Sequence, residues 1–291
     1  MSADGRTRTI VETRRPGVVS LLARLAIAVG ALAGGLLVLV AVAGDGAPTE
    51  ARSLAVRVVG GAILSVAVLT IVAVLARRVD RRELAAFGID GPRDGWRAFT
   101  TGFLAWLVPA AVVLAVMALT GTTLSLHGST TEVVTAVVLV LAAVLVSEAI
   151  PEEVVFRGYV TGVLGERLRG WWIIMGQAVL FAGFALALRG FTGVADLSMF
   201  VAMGIGLGYL RMITGSVWTC IGFHAAFQTV SQLLLAHDVL EFGGSTGMAM
   251  LALGVVPFAV GITVVAVLAP TRQALFRRAP GRRSSITVTG R

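Results

Sequence analysis

Six side chains in two stretches of this sequence have the types and spacing for acid–base chemistry. Glu148, Glu152, Glu153 and Arg157 fall close together, and His224 and Gln228 stand four apart further on. On a helix, Glu153 and Arg157 are one turn apart and can form an ion pair. Glu152 points roughly 100° away from Glu153, at 3.6 residues per turn, and is not needed for that pair. Glu148 lies one turn before Glu152 on the same face. A carboxylate beside another, shielded from water, has the properties of a general base that takes a proton from a water molecule. On this segment alone the plainer alternative stays open: the charges sit at headgroup level and are solvated.

The second stretch adds weight to the first. Cys220, His224 and Gln228 are spaced i, i+4, i+8, which places them on one helix face, with Ser231 near the same stripe. His224 is flanked by Ile221, Gly222 and Phe223 on one side and by Ala225, Ala226 and Phe227 on the other. Nothing there replaces water, so the imidazole either hydrogen-bonds a backbone carbonyl or belongs to a site with the first stretch, whose costly groups lie at a compatible depth. Cys220 and His224 are close enough for a nucleophile pair, but a lone cysteine in this setting reads more simply as a small apolar filler.

These groups must be held by an unusually apolar chain. Of 291 residues, 57% are hydrophobic and 14% charged, and the mean hydropathy is +0.90. A soluble domain carries about a quarter charged residues, and a chain this long could not bury so much apolar surface in water. A soluble enzyme, a disordered chain and a fibre are excluded. One cysteine excludes an internal disulfide and a cysteine-based zinc site. All 24 basic residues are arginine, and the net charge is +8. Because the arginines lie between apolar runs, they suit anionic lipid headgroups, and no nucleic-acid partner is expected.

The fold class that follows is an all-α, polytopic membrane bundle of about eight helices. Uncharged runs such as Leu25–Gly44 and Gly170–Leu188 match the roughly 20 residues needed to span lipid. Leu197–Leu210 is the shortest run, and its glycines Gly204, Gly206 and Gly208 signal either close packing or a half-helix. If the chain starts in the cytoplasm, the arginines divide 21 to 3 between the two sides. That split places both termini in the cytoplasm and the protein, as a multi-pass protein, in a cell membrane of the bacterial inner type. The organisation reads as a cytoplasmic segment 1–17, three helices over 18–132, a four-helix core over 133–237, a last helix within 238–271 and a cytoplasmic tail 272–291. The connection 77–97 is expected to lie along the inner interface. Ala41-Val42-Ala43 has the spacing of a signal-peptidase site, but its apolar run is longer than the about 7–15 residues of a signal peptide, so the first helix is expected to stay.

Pro151-Glu152-Glu153-Val154-Val155-Phe156-Arg157-Gly158 resembles the Glu-Glu-x-x-x-Arg motif of the CAAX-protease and bacteriocin-processing intramembrane endopeptidases. Gly215-Ser216-Val217-Trp218, leading to His224-Ala225-Ala226-Phe227-Gln228, is similar to that family's last motif, His-x-x-x-Asn. The resemblance covers about residues 133–237. It implies that Glu152 activates water, that Glu153 and Arg157 support it, and that His224 and Gln228 stabilise the oxyanion. It also implies a membrane protein or peptide as substrate, cut near the cytoplasmic face. The chain departs from the family at the middle motif, Phe-x-x-x-His. Phe181 is followed at that spacing by Ala185, and Phe184 by Leu188. Gln177, two turns before Ala185, is the candidate to replace the missing histidine. With one buried histidine, a glutamate mechanism without metal is favoured over zinc, and the cofactor is left unassigned. Two further readings stand beside the peptidase: an impaired member that binds membrane segments or regulates, and a proton-coupled transporter using Glu148, Glu152 and His224.

Overall fold

A computed structural model describes residues 17–44, 50–191, 193–236 and 239–268. The segment 1–17, except its last residue, and the tail 272–291 lie outside them. Eight helical rods follow one another among the described residues: α1 (Val18–Ala43), α2 (Ala51–Val79), α3 (Pro92–Leu119), α4 (Thr130–Leu164), α5 (Trp171–Arg189), α6 (Val194–Thr214), α7 (Val217–Leu235) and α8 (Thr246–Leu268). Seven of these rods, or apolar stretches within them, are long and apolar enough to cross a membrane. The exception is α7, which has the length, at 19 residues, but carries His224, Gln228 and Gln232. The outer faces are apolar, as lipid requires, with Val19, Ile63, Val112 and Val179 all exposed. The chain is an all-α bundle with the helices of a polytopic membrane protein.

Polar ties fix the ends. At the arginine-rich end, the buried Arg24 of α1 is ion-paired with Asp80 and donates from Nη1 and Nη2 to the two carboxylate oxygens of Glu166, at 3.1 and 2.7 Å. This joins α1 to the end of α2 and to the α4–α5 turn. At the other end, two short strands that the sequence did not suggest, β1 (Leu124–Leu126) and β2 (Leu240–Phe242), pair antiparallel with Ser125 opposite Glu241. Three-residue strands are too short to show a period of two.

The connection expected along the inner interface is mostly exposed, and it is tied to the bundle at its middle. Phe87 is fully buried, its ring 5.3 Å from that of Tyr159, and the Gly88 carbonyl accepts from the Val217 amide. An aromatic ring gains more by covering the end of α4 than by lying in headgroups. The helix that follows begins at Pro92, where proline costs no hydrogen bond, and not beyond Arg97.

Glycines set the closest contacts. A Cβ at Gly102 of α3 would overlap the Thr219 carbonyl oxygen of α7, and one at Gly222 would overlap the Phe99 carbonyl oxygen. The two backbones therefore touch where α7 carries its polar face. On α6, a Cβ at Gly204 would stand 2.8 Å from Ala178 Cα, and one at Gly208 would overlap the Gln177 amide. These glycines serve close packing in a continuous helix, so the half-helix alternative falls away.

Candidate active site

The first polar stretch sits in α4, which is not a regular α-helix. Two π turns, Leu145–Ala149 and Val154–Val160, flank a short α segment containing Pro151. Proline lacks the amide that would continue the ladder, and wider turns absorb the defect. The wide geometry is visible where Thr161 Oγ1 donates to the carbonyl five residues back, on Phe156, at 2.8 Å. The effect is to turn Glu148 and Glu152 toward one side and Glu153 toward another.

Glu153 is fully buried, and its Oε1 accepts two hydrogen bonds, from Arg157 Nη1 at 3.0 Å and from His224 Nδ1 at 2.9 Å. Arg157, also fully buried, donates from Nη2 to the Met203 carbonyl at 3.1 Å, and its guanidinium lies 4.4 Å over the Phe181 ring. The ion pair expected from spacing is present, and it also holds the histidine. An ionised carboxylate accepts only, so the imidazole's hydrogen is on Nδ1. That leaves Nε2 as the ring nitrogen not held by Glu153, an acceptor when neutral and a donor when protonated, on a residue that lines the cavity.

Glu148 is equally committed. It accepts from Arg57 Nη2 and Gln228 Nε2, each at 2.8 Å, and from Gln232 Nε2 at 3.1 Å. Arg57 reaches it because α2 and α4 are close there: a Cβ on Gly61 would stand 2.8 Å from the Ser147 amide nitrogen, and Ser65 Oγ donates to the Val146 carbonyl at 2.7 Å. Gln228, expected as an oxyanion donor, thus spends one of its two N–H groups on Glu148.

Glu152 differs from its neighbours. Among the described residues it forms no hydrogen bond or ion pair, and its half-buried carboxylate lines a cavity of about 420 Å³. Glu148, Arg57, Ala185, Arg189, His224 and Gln228 line the same cavity. All five expected site residues therefore gather at one place, with Glu152, His224 and Gln228 on the cavity wall and Glu153 and Arg157 behind it.

The resemblance implies cleavage near the cytoplasmic face, and Glu152 stands 12 residues before the end of α4 at Leu164. The cavity wall runs on to Ala43 and Gly44 at the end of α1 and to Arg189 at the end of α5, all on the arginine-poor side. Gln177 is not the substitute for the missing histidine. It is fully buried, donates to the carbonyls of Ile174 (3.1 Å) and Gly204, and does not line the cavity. Ala185 does line it. Cys220 is buried, with its thiol on the Leu207 carbonyl at 3.4 Å, and takes no part.

Arg57, Arg189 and Gln232 do not stand out as site residues in the sequence. A signal for the two arginines is nonetheless present in the arginine split. Only Arg52, Arg57 and Arg189 fall on the poor side, and two of them are used by the cavity.

The donor set does not suit a metal. Glu148 and Glu153 are occupied by arginine, glutamine and histidine donors, which leaves Glu152 and one imidazole nitrogen, fewer than the three ligands of a catalytic zinc. Among the described residues, no three His, Cys, Asp or Glu side chains form a group that could hold a metal ion.

Residues 133–230 match the family model described as type II CAAX prenyl endopeptidase Rce1-like. The matched stretch contains every expected site residue and is similar to a CAAX-protease domain. No curated protein matches the chain, and no solved structure matches it.

Proposed function

We propose that this protein is an intramembrane endopeptidase of the CAAX-protease kind, in which Glu152 activates water against a peptide bond. The supporting observation is the unpartnered Glu152 carboxylate on a cavity wall shared with His224. As the water oxygen bonds to the carbonyl carbon, its proton passes to Glu152. The negative charge forming on the carbonyl oxygen meets the second N–H of Gln228 and, when protonated, His224 Nε2. Breakage of the C–N bond then takes the proton from Glu152 to the leaving amine, giving a carboxylic acid and an amine. Glu153 and Arg157 hold the imidazole, while Glu148 and Arg57 hold Gln228. The mechanism is routed through carboxylate and imidazole and uses no metal. The substrate is a membrane protein or membrane-bound peptide.

The arginine split supports cytoplasmic termini in a multi-pass protein of a bacterial inner membrane. With that orientation the cavity opens toward the extracytoplasmic ends of α1 and α5, while Glu152 and His224 stand nearer the cytoplasmic ends of α4 and α7. Reporter fusions at Arg97 and Arg291 should read cytoplasmic and one at Gly128 extracytoplasmic. The reverse result would turn the cavity toward the cytoplasm.

A second reading has its own observation. Ala185 stands on the cavity wall where the similar family carries histidine, which favours a member that binds membrane segments without cutting them. Membrane proteomes of cells carrying wild type or Glu152→Ala separate the two. A protein that accumulates at full length only in the variant supports hydrolysis and names the substrate. Identical proteomes, with peptide still captured by the purified protein, support binding alone.

A further inference from the structure

Arg189 ends α5 on the arginine-poor side, exposed, at the junction of two cavities. The first is the 420 Å³ space that holds Glu152, and the second, of about 630 Å³, lies between α6, α7, α8 and the turn after β2. Phe200, Met203 and Gln228 are the other residues that face both. The remaining arginines near the site have carboxylate partners: Arg57 has Glu148 and Arg157 has Glu153. Among the described residues Arg189 has none. Its guanidinium carbon stands 5.5 Å from the centre of the Phe200 ring, and its charge acts at longer range on Glu148 and Glu152.

Stacking uses the face of a guanidinium and leaves its edge, with N–H donors in one plane, free for a planar anion. The residue stands near the Phe200 ring, and no described residue hydrogen-bonds its N–H donors. The charge pattern of the wall points the same way. Among the charged side chains lining the cavity, Arg189 is the cation with no hydrogen-bonded carboxylate, so an anionic group on a ligand is drawn to it rather than to Glu152.

We infer that Arg189 is a specificity-determining residue that binds a carboxylate of the substrate at the junction of the two cavities, with the rest of the peptide lying past Glu152. The carboxylate comes either from a chain terminus or from an acidic side chain. The inference rests on the peptidase reading for the substrate's being a peptide, and its test is a binding measurement that does not require hydrolysis.

The test uses full-length protein carrying Glu152→Gln, in nanodiscs of phosphatidylcholine, with three fluorescent single-span peptides. One ends in a free carboxylate, one in an amide, and one in an amide preceded by aspartate. At least one carboxylate peptide should bind about tenfold more tightly than the plain amide, the effect of one charge-assisted contact. Whether the terminal or the aspartate peptide is preferred identifies the source. Adding Arg189→Gln should remove the preference, and Arg189→Lys should restore part of it. Equal binding of all three peptides, a preference that survives Arg189→Gln, or no saturable binding overturns the inference. So does a preference that disappears when phosphatidylglycerol replaces phosphatidylcholine, because Arg189 is then a lipid anchor. Hydrolysis of the preferred peptide by wild type is scored separately. Its absence beside an intact carboxylate preference would remove the peptidase reading and leave the anchor standing.

Discussion

Glu152→Gln is expected to lower peptide cleavage by roughly 10²–10⁴-fold, the usual contribution of a positioned general base, with little change in thermal stability. Its neighbour should behave in the opposite way. Glu153 accepts from both Arg157 and His224 in a fully buried site, so Glu153→Gln leaves an arginine without its counter-charge at a cost of about 3–5 kcal/mol. The contrast is strong because Glu152 has no partner among the described residues to lose. Thermal unfolding in detergent and cleavage of membrane-anchored peptides, run on both variants, check the pair. Equal destabilisation by the two changes would mean that Glu152 is structural and that the water-activating role belongs elsewhere.

The second large effect concerns the position where the similar family carries histidine. Ala185 lines the cavity one turn before Arg189, so Ala185→His directs an imidazole into existing space. A second acid–base group beside the attacked water is worth roughly 10²–10⁴-fold when well placed, and imperfect placement should still give a measurable gain. The rise should depend on Glu152 and disappear in Ala185→His with Glu152→Gln. Crowding against Phe181 and Phe184 could cost about 1–3 kcal/mol, so unfolding is measured alongside. If wild type already cuts efficiently and Ala185→His stops it, the cavity has no place for an imidazole, and the reaction relies on Glu152 and His224 alone.

Much of the site is legible in the sequence. The ion pair of Glu153 with Arg157 follows from a spacing of four, and the separate direction of Glu152 follows from 100° per residue. The direction of Glu152 survives because no wide turn separates it from Glu153, and the ion pair forms across the start of the second wide turn, which the long arginine side chain spans. The partners of His224 are less accessible. Its placement among apolar neighbours requires a hydrogen bond, but a single chain does not say that the acceptor is Glu153, 71 residues away. The same holds for Glu148 and Arg57, which are 91 residues apart and meet only because Gly61 lets α2 approach α4.

Composition alone makes the chain a membrane bundle, since no other solvent accepts so much apolar surface. Residue types and their neighbours likewise mark which groups are costly enough to need partners. Tertiary structure decides the pairing of those groups, the depth of the cavity and the exclusion of Gln177. The physical reason is that apolar periodicity measures how each helix faces lipid, whereas the vertical offset between helices is set by close contacts such as Gly102 with Thr219 and Gly204 with Ala178. Those offsets put Glu152, His224 and Arg189 on one wall, and no single helix carries that information.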